Sequence, residues 1–235
     1  MPLNKAKGRM FQSVTHTWNP ITGCIHNCPY CWAKSLADRW GKPFYPQFRE
    51  HFLKDKMPDN GGWIFVGSTG DLMCDGMNHE WIVKVIEYIY NNETDNKFLL
   101  QTKNPLRFLY WQIETLLRTV QDKIIVGTTF ETNRKTLGTA PPPVDRYEAL
   151  LWMREQGYRT FISMEPMADF DLEVIKEWIF QLQPEAIELG LENYTKFLTP
   201  PPEEKIVELI AWLDEHGFTY VLKENLRHLE ETVNE

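Results

Sequence analysis

A chain of 235 residues that is 43% hydrophobic and 13% aromatic can bury a sizeable core, which excludes a disordered polymer. A formal charge of −8 argues against gripping nucleic acid through a broad basic face, since that mode rests on neutralising phosphates, but it leaves room for local basic patches. Four cysteines, three of them in one short stretch, do not make a secreted disulfide framework and fit a reducing cytoplasm.

In chain order, the opening residues 1–12 are polar with a few basic side chains, and no apolar stretch follows, so a secretory signal is not expected. Residues 13–18 alternate as a short strand that Asn19-Pro20 breaks, and residues 33–40 suit a helix closed by Gly41. Residues 42–60 are rich in Pro, Phe and charge without a clear period and read as loop or partial helix. A rhythm then sets in: strand 63–68, helix 79–90, strand 97–102, helix 105–120 with Pro105 in its first turn, strand 123–128. It continues as helix 144–157, strand 159–165, helix 171–182, strand 185–190, helix 203–217 and strand 219–223, with a charged C-terminal tail. No apolar run reaches the ~18 residues of a membrane span.

Alternating strands and helices argue for parallel βαβ units in one α/β domain over residues 1–235, with a short polar N-terminal arm. A barrel and a doubly wound open sheet give the same one-dimensional rhythm, and both place ligands at the carboxyl ends of the strands. The strand-end groups are then residues 68–71, 101–103, 128–131, 163–165 and 188–193, each polar where its strand is apolar. Nothing in the sequence specifies an oligomeric state.

Residues 19–33 read NPITGCIHNCPYCWA and put Cys24, Cys28 and Cys31 into eight residues. Thiolates at this spacing wrap a compact iron-sulfur cluster, and three of them leave one iron of a four-iron cube without a protein ligand. His26, between the first two cysteines, also permits a non-enzymatic zinc module with a Cys3His site. Four ligands within eight residues make a cramped tetrahedron, because structural zinc sites draw on two separated knuckles. His26 fits better as a donor to a sulfide or thiolate.

The Cys24-x3-Cys28-x2-Cys31 motif, with Tyr30 before the last cysteine, resembles the signature of the radical S-adenosylmethionine (SAM) superfamily. Asn19-Pro20, Gly23, His26 and Trp32-Ala33 resemble the cluster loop of the spore photoproduct lyase branch. The chain is also similar to short phage-type radical SAM proteins of unassigned substrate, through residues 67–72 and 163–166 as well. The resemblance implies a partial (β/α)6 TIM-type barrel and a [4Fe-4S] cluster on Cys24, Cys28 and Cys31. It further implies SAM held through its amino and carboxylate groups at the open iron, and an electron donor such as a flavodoxin or ferredoxin. Reductive cleavage of SAM would give a 5'-deoxyadenosyl radical that abstracts hydrogen from substrate.

Ser68, Thr69, Gly70 and Asp71 occupy the position where the superfamily carries a Gly-Gly-Glu-like element, and the sequence departs from it: Asp71 replaces the acidic acceptor, and Gly70 permits close backbone approach. An ordinary turn with an Asx bond is the plainer reading of the same residues. Tyr30 resembles the aromatic near the adenine. Lys103, Thr128 and Glu165 are candidates for carboxylate, ribose or substrate contacts. Cys74 is a hydrogen-atom donor to a substrate radical, a ligand to a second centre, or a small buried residue. Glu188, Glu192, Lys223 and Glu224 are further candidates for substrate contact. The substrate implied is a nucleic acid, nucleotide or nucleobase; the charge weakens that reading and keeps a peptide or small metabolite open. The short chain leaves a barrel side for substrate or a partner to cover.

Overall fold

The computed structural model describes residues 3–229. Seven parallel strands stand side by side in the order in which the chain makes them: β2 (His16–Trp18), β5 (Trp63–Val66), β6 (Lys97–Gln101), β7 (Ile124–Thr129), β8 (Arg159–Met164), β9 (Ala186–Leu189) and β10 (Tyr220–Leu222). The strand β1 (Leu3–Lys5) adds an antiparallel edge beside β2, and β3 (Ile21–Thr22) pairs with β4 (Gln47–Phe48) in a separate ribbon. Between successive parallel strands run α1 (Trp32–Arg39), α2 (His79–Tyr90), α3 (Trp111–Arg118), α4 (Pro143–Glu155), α5 (Leu172–Leu182) and α6 (Glu203–Glu215).

This order separates the two architectures that periodicity leaves open. A doubly wound sheet reverses its strand order at a switch point, whereas this order never reverses. Right-handed crossovers in one direction put every helix on the same face and curl the sheet, giving the partial (β/α)6 TIM-type barrel. The faces differ accordingly. Ile64, Val66, Phe98, Leu100, Ile124, Val126, Ile162 and Met164 join the apolar faces of the helices in one large core. Leu99, Ile125, Phe161 and Ala186, one residue out of step, form a smaller cluster in the lumen.

The N-terminal arm is not a polar extension. Met10, Phe11 and Val14 pack into the lumen cluster, and the Phe11 ring stacks on Phe65 at 5.4 Å. Beyond it the arm reaches the far edge of the sheet. Ser13 donates its N–H and hydroxyl to Glu188 Oε1, both at 2.8 Å, and Lys223 Nζ donates to the Met10 carbonyl at 2.8 Å. A segment of the chain itself therefore crosses the side expected to await a partner.

Two further expectations change. The helix over 105–120 is a 3₁₀ turn, Pro105–Leu109, followed by α3, with Tyr110 extended between them. Within the 3₁₀ turn Arg107 is buried, and its guanidinium donates to the carbonyls of Cys74 and Met77. The stretch 42–60 contributes β4 and a 3₁₀ turn, Glu50–Lys54. Of the charged tail, residues 230–235 lie outside the described residues. No described helix is long and apolar enough to cross a membrane.

Candidate active site

The cysteine loop leaves β3 and ends at α1, directly above the carboxyl ends of the parallel strands. Cys31 is the N-cap of α1, and its sulfur accepts the Lys34 N–H at 3.4 Å; Cys24 accepts the His26 N–H at 3.4 Å. Both contacts bring a backbone N–H donor to a sulfur of the motif.

Glycine fixes the loop's path at two points. Gly23 has φ +79°, and a Cβ there would lie 2.0 Å from the Tyr45 carbonyl oxygen. Gly70 faces Gly23 across a parallel bridge, where a Cβ would lie 2.8 Å from the Gly23 oxygen. The backbone of residues 69–71 is thus laid against the cysteine loop, with the Gly23 N–H donating to Thr69 at 3.0 Å. Asn19 Oδ1 completes the join, accepting from Ser68 Oγ at 3.1 Å, Thr69 N at 3.1 Å and Thr69 Oγ1 at 3.3 Å.

Beneath the loop lies a cavity of ≈ 380 Å³, in the size range of small-molecule sites. All three motif cysteines line it, with Tyr30, Ser68, Thr69, Gly70, Asp71, Lys103 and Glu165. Two residues expected there are not among its lining residues. Thr128 is fully buried and donates its hydroxyl to the Thr102 carbonyl at 2.7 Å, while Thr129, the next residue along the strand, faces the cavity. Side chains alternate along a strand, so a one-residue misjudgement of register changes the face. Cys74 is fully buried, away from the cavity lining.

Asp71 is buried and already takes four protein donors. Its Oδ1 accepts Thr102 Oγ1 at 2.6 Å and Met73 N at 2.9 Å, and its Oδ2 accepts Lys103 N at 2.8 Å and His26 Nε2 at 3.0 Å. Burial alone would raise its pKa, but His26 and the other donors hold it below the usual carboxylate range. Burial alone would lower that of His26, and Asp71 overrides it and raises it. The pair ties the cysteine loop to the ends of β5 and β6.

Glu131 falls in the strand-end group 128–131, but sequence reasoning gave it no role, and the structure makes it a centre. It is buried just past β7 and accepts from the Tyr30 hydroxyl, from Lys103 Nζ and, at 2.8 Å, from Arg146 Nη1. Lys103 Nζ also donates to Tyr30 OH at 2.5 Å, and the fully buried Arg146 donates to the Thr129 carbonyl at 2.8 Å. One signal was available in the sequence: Arg146 sits on the stripe formed by Pro143, Ala149, Leu150 and Met153 on α4, where an unpaired charge would be costly. The Glu131 pKa is pushed down to about 2; burial opposes this, and Lys103 and Arg146 outweigh it. A carboxylate depressed in this way contributes stability that is complete above its ordinary 4.5 and lost as pH falls toward about 2. Acid titration of the folded fraction is expected to show wild type losing more stability over that interval than Glu131→Gln; parallel curves would contradict the assignment.

Glu165, Glu188 and Lys223 meet inside the lumen, with Lys223 Nζ 3.2 Å from Glu165 Oε2 and 3.3 Å from Glu188 Oε2. Burial raises the Glu165 pKa although Lys223 opposes it. Of the three, Glu165 reaches the main cavity; it also borders, with Lys223 and Glu224, a second, polar cavity against the N-terminal arm. The Glu192 carboxylate turns back onto its own loop, accepting Thr195 N at 2.8 Å and Leu198 N at 2.7 Å. Gln101 Oε1, beside the main cavity, is a buried acceptor without a protein donor.

The family model described as "Protein of unknown function (DUF5131)" matches residues 10–181, well over half of the chain. No curated protein matches it. Among solved structures, a double mutant of spore photoproduct lyase with bound AdoMet and dinucleoside spore photoproduct is similar, with a TM-score of 0.58 and 18% identity. The match covers 80% of this chain and 60% of that one, and the likeness is one of fold.

Proposed function

Since the chain belongs to the DUF5131 family of proteins of unknown function, we propose from the chemistry of its site that it is a radical SAM enzyme. The observation that carries this reading is the convergence of Cys24, Cys28 and Cys31 on a cavity at the strand ends, with the 68–71 loop apposed to them.

The donor set fits a cluster better than a single ion. Two thiolates on one zinc lie at most about 4.6 Å apart, given Zn–S bonds of ~2.3 Å. Among the described residues, the ligand atoms that close to within 4.8 Å of one another are those of Cys24, His26 and Asp71, not the three sulfurs. His26 Nε2 and Asp71 Oδ2 stand at hydrogen-bonding distance, and the Asp71 oxygens are already engaged. A three-cysteine zinc module therefore has less support than a cluster spread over three thiolates. Bound there, a [4Fe-4S] cluster and SAM would supply reductive sulfonium cleavage and a 5'-deoxyadenosyl radical for hydrogen abstraction.

The chain's own residues orient and enclose. Cys24, Cys28 and Cys31 hold the cluster, and the N–H groups of His26 and Lys34 stabilise two of the sulfurs. Asp71 acts as the brace of the loop. Gln101 Oε1 and Glu165 offer acceptors to the amino and hydroxyl groups of a ligand, and Lys103, held by Glu131 and Tyr30, offers the positive charge that a carboxylate needs. Phe11, Phe44, Phe65 and Tyr194 give the cavity an aromatic wall that suits a nucleobase, so a nucleotide or nucleic acid is the substrate proposed. A flavodoxin or ferredoxin in the cytoplasm is the electron source proposed. Anaerobic reconstitution with iron and sulfide tests the ligand set: the expected result is about four irons per chain and broad visible absorption, absent in Cys28→Ala. Stoichiometric zinc with no such absorption would overturn it.

A further inference from the structure

We infer that the polar cavity against the N-terminal arm is a phosphate site, and that it holds the phosphate of a nucleotide whose base lies in the main cavity. The placement of the base rests on the proposed function; the anion site itself does not.

The cavity holds ≈ 470 Å³, and Arg9 and Arg227 both line it. Among the described residues, neither forms an ion pair with a carboxylate: the Arg9 guanidinium lies over the Tyr194 ring at 5.3 Å, and Arg227 Nη2 donates to Gln12 Oε1 at 3.5 Å. Lys223, in the same wall, is by contrast fully committed. It stands between Glu165 and Glu188 and donates to the carbonyls of Arg9 at 3.2 Å and Met10 at 2.8 Å, which fixes the backbone from which Arg9 projects. Arg227 follows the turn Glu224–Leu226, closed by the Leu226 N–H on the Lys223 carbonyl at 2.8 Å.

The amides of the cavity are oriented to match. Asn225 Nδ2 donates to Asn193 Oδ1 at 3.1 Å and to the Leu191 carbonyl at 2.9 Å, and Asn225 Oδ1 accepts Leu191 N at 3.2 Å. Gln12 Oε1 is turned to Arg227. The acceptor oxygens of all three amides thus face protein donors, which leaves the N–H groups of Asn193 and Gln12 beside two guanidiniums. Such a surplus of donors recognises an anion, and guanidinium forks match phosphate oxygens in particular. The donors come from the arm, the loop after β9 and the turn after β10, and this convergence suits a tetrahedral group better than a planar carboxylate. Of the two lining carboxylates, Glu165 is matched by Lys223, and Glu224 opposes an anion.

Arg9, Glu165 and Asn193 line both cavities, so the two adjoin along a shared wall. A base against the aromatic side chains of the main cavity, Tyr194 among them, has its phosphate within reach of the guanidinium that covers that ring. A nucleotide fills both cavities, whereas a nucleoside fills one.

The test titrates inorganic phosphate into the full chain, in wild type and in the double variant Arg9→Gln/Arg227→Gln. Both side chains are exposed, so the variant keeps its fold, and Arg154→Gln, an exposed arginine on α4, is the charge control. Phosphate is expected to bind wild type and control alike, to bind the double variant about tenfold more weakly, and to bind Glu224→Gln more tightly. Each common nucleoside 5'-monophosphate is then compared with its own nucleoside. At least one nucleotide should bind wild type about tenfold more tightly than its nucleoside, and the gap should close in the double variant. Absence of phosphate binding, equal binding in the double variant, or phosphate binding with no nucleotide favoured over its nucleoside would overturn the proposal. A chain that shows the arginine-dependent gap but loads no cluster would retain this inference and sink the radical SAM reading; one that releases 5'-deoxyadenosine but binds no phosphate would do the reverse.

Discussion

Glu131→Ala is expected to destabilise the fold by about 3–5 kcal/mol, the usual cost of removing one partner from a buried charge pair. Glu131 and Arg146 are both buried, and Glu131 is also the shared acceptor for Lys103 and Tyr30. Without it, Arg146 keeps the carbonyls of Pro141 and Thr129, but its charge has no counter-ion, and its Nη2 already lacks a partner. Solvation is not an alternative at a position closed to water. Chemical denaturation is the measurement, and Glu131→Gln, which keeps the shape and one acceptor, should cost less. A loss below about 1 kcal/mol would place the group with surface ion pairs and contradict its central position. The site should feel the change too, because Tyr30 lies in the cysteine loop and Lys103 at the end of β6.

Gly23→Ala is expected to abolish cluster loading. The substitution demands φ near +79° from an L-residue and sets a Cβ 2.0 Å from backbone oxygen, which has no side-chain freedom with which to yield. The loop must shift where it meets residues 69–71, and Cys24 is the next residue. Gly41→Ala supplies the control, having positive φ, +60°, but nothing within 4 Å of its Cβ. It shares the conformational cost, of order 1–2 kcal/mol, without the collision. Reconstituted iron should fall below one per chain in Gly23→Ala and stay at the wild-type level in Gly41→Ala. Equal loading in both would show that the approach of Tyr45 does not set the loop.

The βα rhythm was legible because each strand is a short apolar run and most helices carry an apolar stripe, which is why β5 to β10 and α2, α4, α5 and α6 fall close to where the pattern puts them. Periodicity does not carry strand order, so the barrel was legible only through resemblance. Thr128 shows a second limit: both faces of β7 are buried, so alternation leaves no trace in its sequence to say that Thr129 faces the cavity. The arm was misread because Met10 and Phe11 are isolated apolar residues among polar ones, and their partners, Phe65 and Phe161, are distant in sequence. The cysteine motif was legible because its chemistry lies in local spacing. The network around Glu131 was not, since its members come from the cysteine loop, β6, β7 and α4 and meet only in three dimensions.

The most direct test of the central claim is release of 5'-deoxyadenosine from SAM by the reconstituted protein under anaerobic reduction, read by chromatography against Cys28→Ala. Formation that depends on reductant and is absent in the variant is expected. No 5'-deoxyadenosine from wild-type protein carrying an intact, reducible cluster would contradict the account.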